Sequence, residues 1–266
     1  MTDRAQDFAA DEFTEDAFLG GQLRLRQPRS GHRAGHDAML LAAATPARAE
    51  DRVVEFGAGV GAAGLALASR VPGIKLVLVE IDAALAELAR ENAGANAIAA
   101  DAVVLDVASS ADAFAAVGLG PDSVDVVLMN PPFNDAARHR ASPDKAREIA
   151  HVATASTLTG WIHAARRILK SGGVLSLIWR ADGLAEVLAA LDRGFGSLVI
   201  LPVHGDAAKP AIRVLVRALK GGRAPTQILA ALTLNNALTL NNESAVPNKQ
   251  VQDFLEGKGV LPLAIP

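Results

Sequence analysis

The tetrapeptide Asn130-Pro131-Pro132-Phe133 places hydrogen-bond acceptors beside an aromatic ring, directly after an apolar run. Proline cannot donate to a sheet ladder, and the residue before it favours extended geometry, so we expect a strand over 124–129 to end in a stiff hook. The Asn130 side-chain oxygen and the Pro131 carbonyl would be fixed acceptors next to the Phe133 ring. This arrangement suits a planar –NH2 group, such as the exocyclic amine of a base. A plain proline turn after a strand is the alternative.

A second candidate site lies upstream, in a glycine-rich turn that follows the apolar segment 53–56. Glycines let a ligand approach the backbone closely, and a strand, a glycine turn and a helix start together are typical of nucleotide binding. Gly59-x-Gly61-x-x-Gly64 also matches the dinucleotide fingerprint. Taken alone, this turn is compatible with a nicotinamide or flavin enzyme.

The carboxylate of Glu55 stands inside the apolar strand, two positions before Gly57. A buried carboxylate is costly unless something satisfies it. It would repel a pyrophosphate and attract a cation, and S-adenosylmethionine carries a sulfonium and an ammonium group but no phosphate. Glu55 therefore favours that ligand over a dinucleotide. A carboxylate that accepts N–H bonds from the glycine turn is the other interpretation, and both can hold.

Two more acids follow the next predicted strands. Glu80 ends a strand over 76–79, and Asp106 ends one over 103–105. In a parallel sheet these ends lie on one edge, where ligands bind. Glu80 suits two ribose hydroxyls, and Asp106 suits an adenine amine. A turn or cap role is the alternative for Asp106, and Asp82 fits a helix cap better than a ligand contact.

Strand and helix patterns alternate along the chain, which predicts an α/β fold: a Rossmann-like, doubly wound, mostly parallel seven-stranded sheet. The last two strands, predicted at 198–201 and 212–216, are joined by only about ten residues. That is short for a parallel crossover, so we expect an antiparallel last strand. The fourth strand should lie beside the first, which brings the hook to the glycine turn. The remaining predicted helices include 83–92 and 154–169, and the fifth strand is predicted at 174–179.

The composition limits the classes of function. The chain has 266 residues, half of them apolar, which is enough for one sizeable core. It has no cysteine, which fits a reducing cytoplasm, and its six histidines lack ligand spacing, so we predict no metal site. The N-terminal residues do not form a signal peptide, and no apolar run approaches the ~20 residues of a membrane helix. The net charge is −3, so any nucleic-acid binding depends on local patches.

Two local basic clusters flank the proposed pocket in sequence. The second lies in the polar segment 134–152, which is too long for a simple connector. If these side chains bind phosphates, RNA is the expected partner; a solvated basic surface is the alternative. We expect no membrane association and a monomer or homodimer. The first cluster is Arg24, Arg26, Arg29, His32 and Arg33, and the second is Arg138, His139, Arg140, Lys145 and Arg147.

The residues before the glycine turn form a separate extension. The segment 23–27 alternates apolar and basic residues, as an exposed strand or hairpin arm would, while 1–17 is polar and is assigned no structure. Asp37 should cap a helix over 38–44. The repeat Ala-Leu-Thr-Leu-Asn-Asn at 231–242 is interpreted as a small duplication in an edge strand or loop. We divide the chain into an N-terminal extension (1–45), a catalytic α/β core (46–220) and a C-terminal tail that packs on it (221–266).

Together these motifs resemble those of class I S-adenosylmethionine-dependent methyltransferases: 55–61 is similar to their first motif, and 130–133 to the motif of their amino-methylating members. More narrowly, the chain resembles the bacterial tRNA-valine adenine-N6 methyltransferase family, through these motifs and the segments 27–41 and 164–173. It departs from that pattern at His36, where a small hydroxyl residue often stands, and in the tail.

The resemblance implies an S-adenosylmethionine-dependent N-methyltransferase that acts on a nucleobase amine in RNA, above all adenine N6 in tRNA. A protein glutamine N5-methyltransferase and an rRNA guanine N2-methyltransferase remain alternatives. An NAD-dependent oxidoreductase is a further alternative, ranked below these two. The resemblance assigns the donor contacts to Asp37, Glu55, Gly57, Ala58, Gly59, Gly61, Glu80, Ile81, Asp106 and Asn130, and the amine contacts to Asn130, Pro131, Pro132 and Phe133.

Overall fold

Short apolar runs alternate with alanine-rich amphipathic segments, and the chain folds into strands and helices accordingly. The computed structural model describes residues 12–29, 33–132, 143–236, 246–247 and 249–264. The strands are β1 (Phe13–Phe18), β2 (Leu23–Pro28), β3 (Arg52–Phe56), β4 (Lys75–Glu80), β5 (Ala100–Val104), β6 (Val124–Met129), β7 (Leu169–Arg180), β8 (Phe195–Asp206), β9 (Arg213–Lys220), β10 (Gln227–Ile228), β11 (Leu232–Asn236) and β12 (Val246–Pro247). The α-helices are α1 (His36–Ala44), α2 (Ala62–Arg70), α3 (Ala83–Ala95), α4 (Ala111–Ala116), α5 (Pro143–Ile168), α6 (Leu184–Leu191) and α7 (Lys249–Leu255), and short 3-10 helices cover Leu19–Gly21, Ala181–Gly183 and Pro262–Ala264.

Seven strands form the doubly wound core of the central sheet, in the order β5-β4-β3-β6-β7-β9-β8. Neighbouring strands are parallel from β5 to β7, and β9 runs antiparallel to both β7 and β8. The predicted sheet, with its antiparallel last strand, is confirmed. Because β3 lies directly beside β6, the order of winding reverses between them, and this is the point at which ligands bind in such sheets.

The segment after β9 extends the sheet in a way that the sequence did not indicate. Strands β10 and β11 run parallel to β8, and β12 pairs antiparallel with β11. The first copy of the hexapeptide repeat contains β11; the second copy, 237–242, lies outside the described residues. Helix α7 packs on α1, and the Leu261 N–H donates to the Ala43 carbonyl oxygen. The tail therefore covers both a sheet edge and the first helix.

The N-terminal residues form a separate antiparallel hairpin of β1 and β2. The hairpin arm at 23–27 is confirmed, but the assignment of no structure to 1–17 is wrong for 13–17. The acidic composition of this segment concealed its partly buried aromatic residues, Phe13 and Phe18, which pack against the core. In β2 the leucines face inward and the arginines face solvent, as the alternation predicts.

Three other boundaries differ from the prediction. Helix α5 begins at Pro143 rather than at 154, and proline is well tolerated in a first helical turn. The glycines at 172–173, which follow the predicted end of that helix at 169, lie inside β7. Helix α1 has Gly35 as its N-cap, so the predicted cap by Asp37 is wrong. Asp37 lies in the first turn instead, where its carboxylate forms an ion pair with the guanidinium of Arg213 on β9.

Two apolar layers enclose the sheet. Helices α1, α2 and α3 contribute to one layer, and α4, α5 and α6 to the other. Among the described residues, no helix combines the length and the apolar character that crossing a bilayer requires.

Helix α2 approaches the sheet so closely that a side chain at Gly64 would collide with it. A Cβ atom there would lie 2.7 Å from Glu55 Oε2 and 2.7 Å from Leu78 Cδ2. We expect Gly64→Ala to lower the free energy of unfolding by about 1–3 kcal/mol. Gly94→Ala is the control, since this exposed position on α3 has no atom within 4 Å of the added Cβ. Urea unfolding should show that variant to be unchanged or up to about 1 kcal/mol more stable; an equal shift in both variants would contradict the close packing.

Candidate active site

The carboxyl ends of four parallel strands meet at one edge of the sheet. The glycine turn 57–61 follows β3, Glu80 ends β4, Asp106 follows β5 and Asn130 follows β6. The register pairs Phe56 of β3 with Met129 of β6. The glycine turn and the hook therefore leave neighbouring strands at the same level, on backbones about 5 Å apart, as the sequence predicts.

The glycine turn adopts a backbone conformation that favours glycine. The φ angles of Gly57, Gly59 and Gly61 are +64°, +54° and +86°, a region that side chains with a Cβ rarely enter. Among the residues that the structure describes, none has an atom within 4 Å of the position that a Cβ on Gly59 would occupy. The turn therefore leaves open space beside its backbone, where a ligand can approach.

Glu55 contacts the backbone of the first turn of α2, directly after the glycine turn. The side chain is only 5% exposed, and Oε2 accepts the Gly64 N–H at 2.7 Å. Burial raises the pKa of Glu55 to about 8, and the nearby charge of Glu80 acts in the same direction. Of the two interpretations of Glu55, the structure shows the hydrogen bond to the turn, and it favours a neutral carboxyl at pH 7 over a fixed negative charge.

Glu80 is held at the edge of the groove by three backbone N–H groups. Its Oε2 accepts from Gly59 at 2.7 Å, and Oε1 accepts from Ile81 and Asp82 at 2.9 and 3.0 Å. The Ile81 side chain beside it is 63% exposed. A fixed carboxylate next to an apolar surface suits the ribose and base of an adenosine. Asp82 caps α3 by accepting the N–H groups of residues 84 and 85, as predicted.

Asp106 is exposed and lies two residues beyond the end of β5. Its Oδ1 accepts the Ala108 N–H at 2.8 Å, which is a turn contact. The preceding Leu105 donates its N–H to the Glu80 carbonyl oxygen at 2.8 Å. This hydrogen bond keeps Asp106 close to the end of β4, on the same edge as Glu80.

Asn130 has a side-chain oxygen with no hydrogen-bond donor among the described residues, although the atom is buried. An unsatisfied buried acceptor costs about 1–3 kcal/mol, which is offset when a ligand supplies the donor. Pro131 is buried and Pro132 is exposed, while Phe133 lies outside the described residues. The hook thus presents a free acceptor beside the glycine turn.

Two residues of this edge were missed by the sequence analysis. The Trp161 ring lies so close to the turn that a Cβ on Gly57 would be 2.4 Å from its Cη2 atom, and it meets Phe56 edge-on with 6.3 Å between ring centroids. Arg213 begins the antiparallel β9 at this edge, and its Nε donates to Asp37 Oδ2 at 2.9 Å. The apolar periodicity of α5 could have indicated Trp161; no local signal indicated the partner of Asp37.

The first basic cluster is partly neutralised by acids on the hairpin and on α3. Exposed ion pairs of this kind are worth about 0–1 kcal/mol, so such arginines can exchange a carboxylate for another anion. Arg29 is exposed. In the second cluster, Arg138 and Arg140 lie outside the described residues, and positions 145 and 147 belong to α5. The pairs are Arg24 with Glu15, Arg26 with Glu91, and Arg33 with Asp16.

Comparisons with known proteins agree with this geometry. Residues 30–202 match the family described as Methyltransferase small domain. The chain belongs to this family, and it is a class I S-adenosylmethionine-dependent methyltransferase. The enzyme and cofactor predictions are confirmed, and the nicotinamide or flavin alternative is removed.

The relatives of this methyltransferase include tRNA-modifying enzymes. It is 31% identical over 205 residues to the tRNA1(Val) (adenine(37)-N6)-methyltransferase of Cronobacter sakazakii, covering 76% of this chain and 80% of the relative. The enzyme of the same name from Dickeya chrysanthemi is 28% identical over 215 residues, covering 80% and 83%. A crystal structure of a predicted O-methyltransferase from Agrobacterium tumefaciens has a TM-score of 0.69 and 31% identity, covering 85% of this chain and 98% of the other.

The groove fits S-adenosylmethionine. Open space at Gly59, the fixed carboxylate of Glu80, the exposed Ile81 side chain and the free Asn130 acceptor lie in a row along one sheet edge. The turn would receive the methionine part of the donor, and Glu80 and Ile81 would hold its adenosine. The individual contacts assigned to Asp37, Asp106 and the other donor-binding residues stay predictions.

The raised pKa of Glu55 predicts a pH dependence of stability. Between the ordinary pKa of 4.5 and about 8, the folded state keeps a proton that the unfolded state has lost. Stability is therefore full below pH 4.5 and falls as the pH rises to about 8, by roughly 1 kcal/mol per pH unit. Glu55→Gln keeps a neutral acceptor for Gly64 and removes the titration. Urea unfolding at pH 5 to 9 should show that the free energy of unfolding of the variant increases relative to that of the wild type as the pH rises. The same pH dependence in both proteins would contradict the assignment.

Trp161 should report donor binding by its fluorescence. The chain has two tryptophans and no tyrosine; Trp179 is fully buried in the core, whereas Trp161 contacts the glycine turn. In a Trp179→Phe variant, we expect the emission of Trp161 to change and saturate as S-adenosylhomocysteine is added. The Trp161→Phe variant, which keeps only the core tryptophan, is the control and should not respond. A response from the control alone would place the donor elsewhere.

Proposed function

We propose that this methyltransferase methylates the exocyclic amine of a nucleobase in RNA, with adenine N6 in tRNA as the target. The observation that carries the proposal is the buried Oδ1 of Asn130, which accepts no hydrogen bond from any described residue and lies at the end of β6, the strand next to the one that leads into the glycine turn. A hydrogen-bond acceptor at this point calls for an N–H donor on the substrate. An amine that donates there would lie next to the donor-binding turn, because β3 and β6 are paired in register.

Asn130 and Pro131 would prepare the amine for attack. The lone pair of an adenine amine is delocalised into the ring, which makes it a poor nucleophile. Hydrogen bonds from its two N–H groups to the Asn130 oxygen and the Pro131 carbonyl would favour tetrahedral geometry and direct the lone pair into the groove. The cofactor supplies an activated methyl group there. Positioning of this kind carries most of the rate, and no strong base is needed before transfer.

The target base has to leave its stack before it can reach the hook. Unstacking costs a few kcal/mol, and stacking on an aromatic side chain returns about 1–3 kcal/mol per base. Phe133 follows the hook in sequence and would supply that ring. An aromatic platform beside paired acceptors is more useful for a flat base than for a flexible side chain, which favours a nucleobase.

RNA as the substrate is supported by the relatives and by the hairpin. The named relatives act on tRNA. The arginines of β2 project into solvent and form exposed ion pairs that phosphates can replace. Because the net charge is −3, such local groups have to provide the attraction.

Two other acceptors share the chemistry of a planar –NH2 group. A release factor glutamine methyltransferase and a ribosomal RNA small subunit methyltransferase C are also relatives of this chain. A glutamine amide would use the same two acceptors, and so would the N2 amine of guanine. Adenine in tRNA is favoured because most of the relatives with high coverage bear that activity in their names.

The test is incubation of the enzyme with isotopically labelled S-adenosylmethionine and total RNA, followed by nucleoside analysis by mass spectrometry. We expect label in N6-methyladenosine from the tRNA fraction. Asn130→Ala should lower turnover by about 100-fold or more because the amine is no longer oriented, while the donor dissociation constant from calorimetry stays within about twofold. Asn130→Asp, which keeps an acceptor oxygen, should retain more activity than the alanine variant.

Other results would overturn specific parts of the proposal. Label in N2-methylguanosine, or in a protein glutamine when a cell extract replaces the RNA, would replace the substrate assignment. Equal losses of turnover and donor affinity in Asn130→Ala would contradict the role of Asn130 as an amine contact.

A further inference from the structure

The N-terminal hairpin and the glycine turn are joined by one buried amide, that of Asn92 on α3. This side chain is 2% exposed. Its Oδ1 accepts the Arg26 N–H at 2.8 Å, and its Nδ2 donates to the Arg26 carbonyl at 3.1 Å and to the Val60 carbonyl at 3.0 Å. Both amide hydrogens and the oxygen are thus engaged. One side chain therefore ties β2 to the turn that carries Gly59 and Gly61.

Asn96 lies one turn later on α3 and makes the same contact with β2, but not the contact with the turn. Its Oδ1 accepts the Arg24 N–H at 2.9 Å, and its Nδ2 donates to the Arg24 carbonyl at 2.7 Å. Residues four apart on a helix and two apart on a strand have similar spacings, about 6 and 7 Å. The two asparagines therefore pair with successive outward residues of β2. Their amides form hydrogen bonds with the backbone N–H and C=O groups of this strand edge, as a neighbouring strand would.

The contact with Val60 matters because glycine-rich backbone does not hold its own conformation. Gly59 and Gly61, on either side of Val60, both have positive φ angles, and glycine loses more conformational freedom on ordering than any other residue. The Gly59 N–H is held by Glu80, and the Val60 carbonyl is held by Asn92. Two side chains on different elements thus fix two peptide units of the turn, the one between residues 58 and 59 and the one between residues 60 and 61.

We propose that Asn92 is a positioning residue that couples the N-terminal hairpin to the donor-binding turn. It keeps the turn ordered before the donor arrives, and a shift of β2 reaches the turn through the same amide. The consequence for RNA rests on the proposed function: if the hairpin contacts RNA, then RNA and donor each change the affinity for the other by the same factor.

Asn92→Ala and Asn96→Ala form a matched pair that separates the two roles of the asparagines. Each variant loses the two hydrogen bonds between the asparagine amide and the backbone of β2, so both should have a lower melting temperature than the wild type. Only Asn92→Ala frees the Val60 carbonyl, and we expect it to weaken the binding of S-adenosylhomocysteine by about 10-fold in calorimetry. Asn96→Ala should stay within about twofold of the wild type. Hydrogen exchange over 57–64 should be faster in Asn92→Ala alone.

Asn92→Leu fills the same buried space with an apolar side chain of similar shape and lacks the donor to the Val60 carbonyl, so it replaces the alanine variant if that one does not fold. Equal donor affinity in the Asn92 variants and the wild type, or equal losses in the Asn92 and Asn96 variants, would overturn the inference.

The RNA measurement tests the coupling separately. We expect Asn96→Ala to raise the KM for RNA without changing the donor dissociation constant, and Asn92→Ala to raise both. If no variant methylates RNA, the substrate assignment fails, and the donor affinities still decide the role of Asn92 in ordering the turn.

Discussion

The candidate site depends on the parallel pairing of β3 with β6. Their register pairs Phe56 with Met129, so the glycine turn and the Asn130 hook emerge side by side. A slip of one residue would reverse the faces of one strand, which would turn Glu55 away from α2 and the helix start at Gly64. The buried valines, leucines and phenylalanine of both strands hold that register, because each faces an apolar layer. Packing in the core thus fixes the distance between the glycine turn and the Asn130 hook, the two groups to which we assign donor and amine binding.

The glycine turn is open to a ligand because side chains of neighbouring elements form hydrogen bonds with its backbone and with the start of α2. Glu55 accepts from the start of α2, Glu80 accepts from Gly59, and Asn92 donates to Val60. Burying these polar groups is costly unless they are paired, and the turn provides the pairing. The same hydrogen bonds that satisfy the buried groups also order a segment whose glycines would otherwise be free to move.

The sequence indicated the parts of the fold that follow from local patterns. Alternating apolar runs predicted the sheet, and the short link between 201 and 212 predicted the antiparallel last strand, because both depend on periodicity and chain length alone. The hook at Asn130 was predicted because proline restricts its own neighbours. By contrast, the pairing of Asp37 with Arg213 and the contact of Trp161 with Gly57 join segments far apart in the chain. Side-chain type does not specify such partners until the tertiary fold brings them together.

In the proposed function, the hairpin lets a chain with a net charge of −3 present a site for an anion. Arg24 and Arg26 face solvent, and each is paired with a glutamate that is itself about half exposed. Such pairs contribute little to stability. Phosphates can replace the glutamates at little cost, whereas the backbone of β2 stays anchored by Asn92 and Asn96. The arm can thus exchange its ionic partners without leaving the core, and any strain that the exchange places on β2 passes through Asn92 to the donor-binding turn.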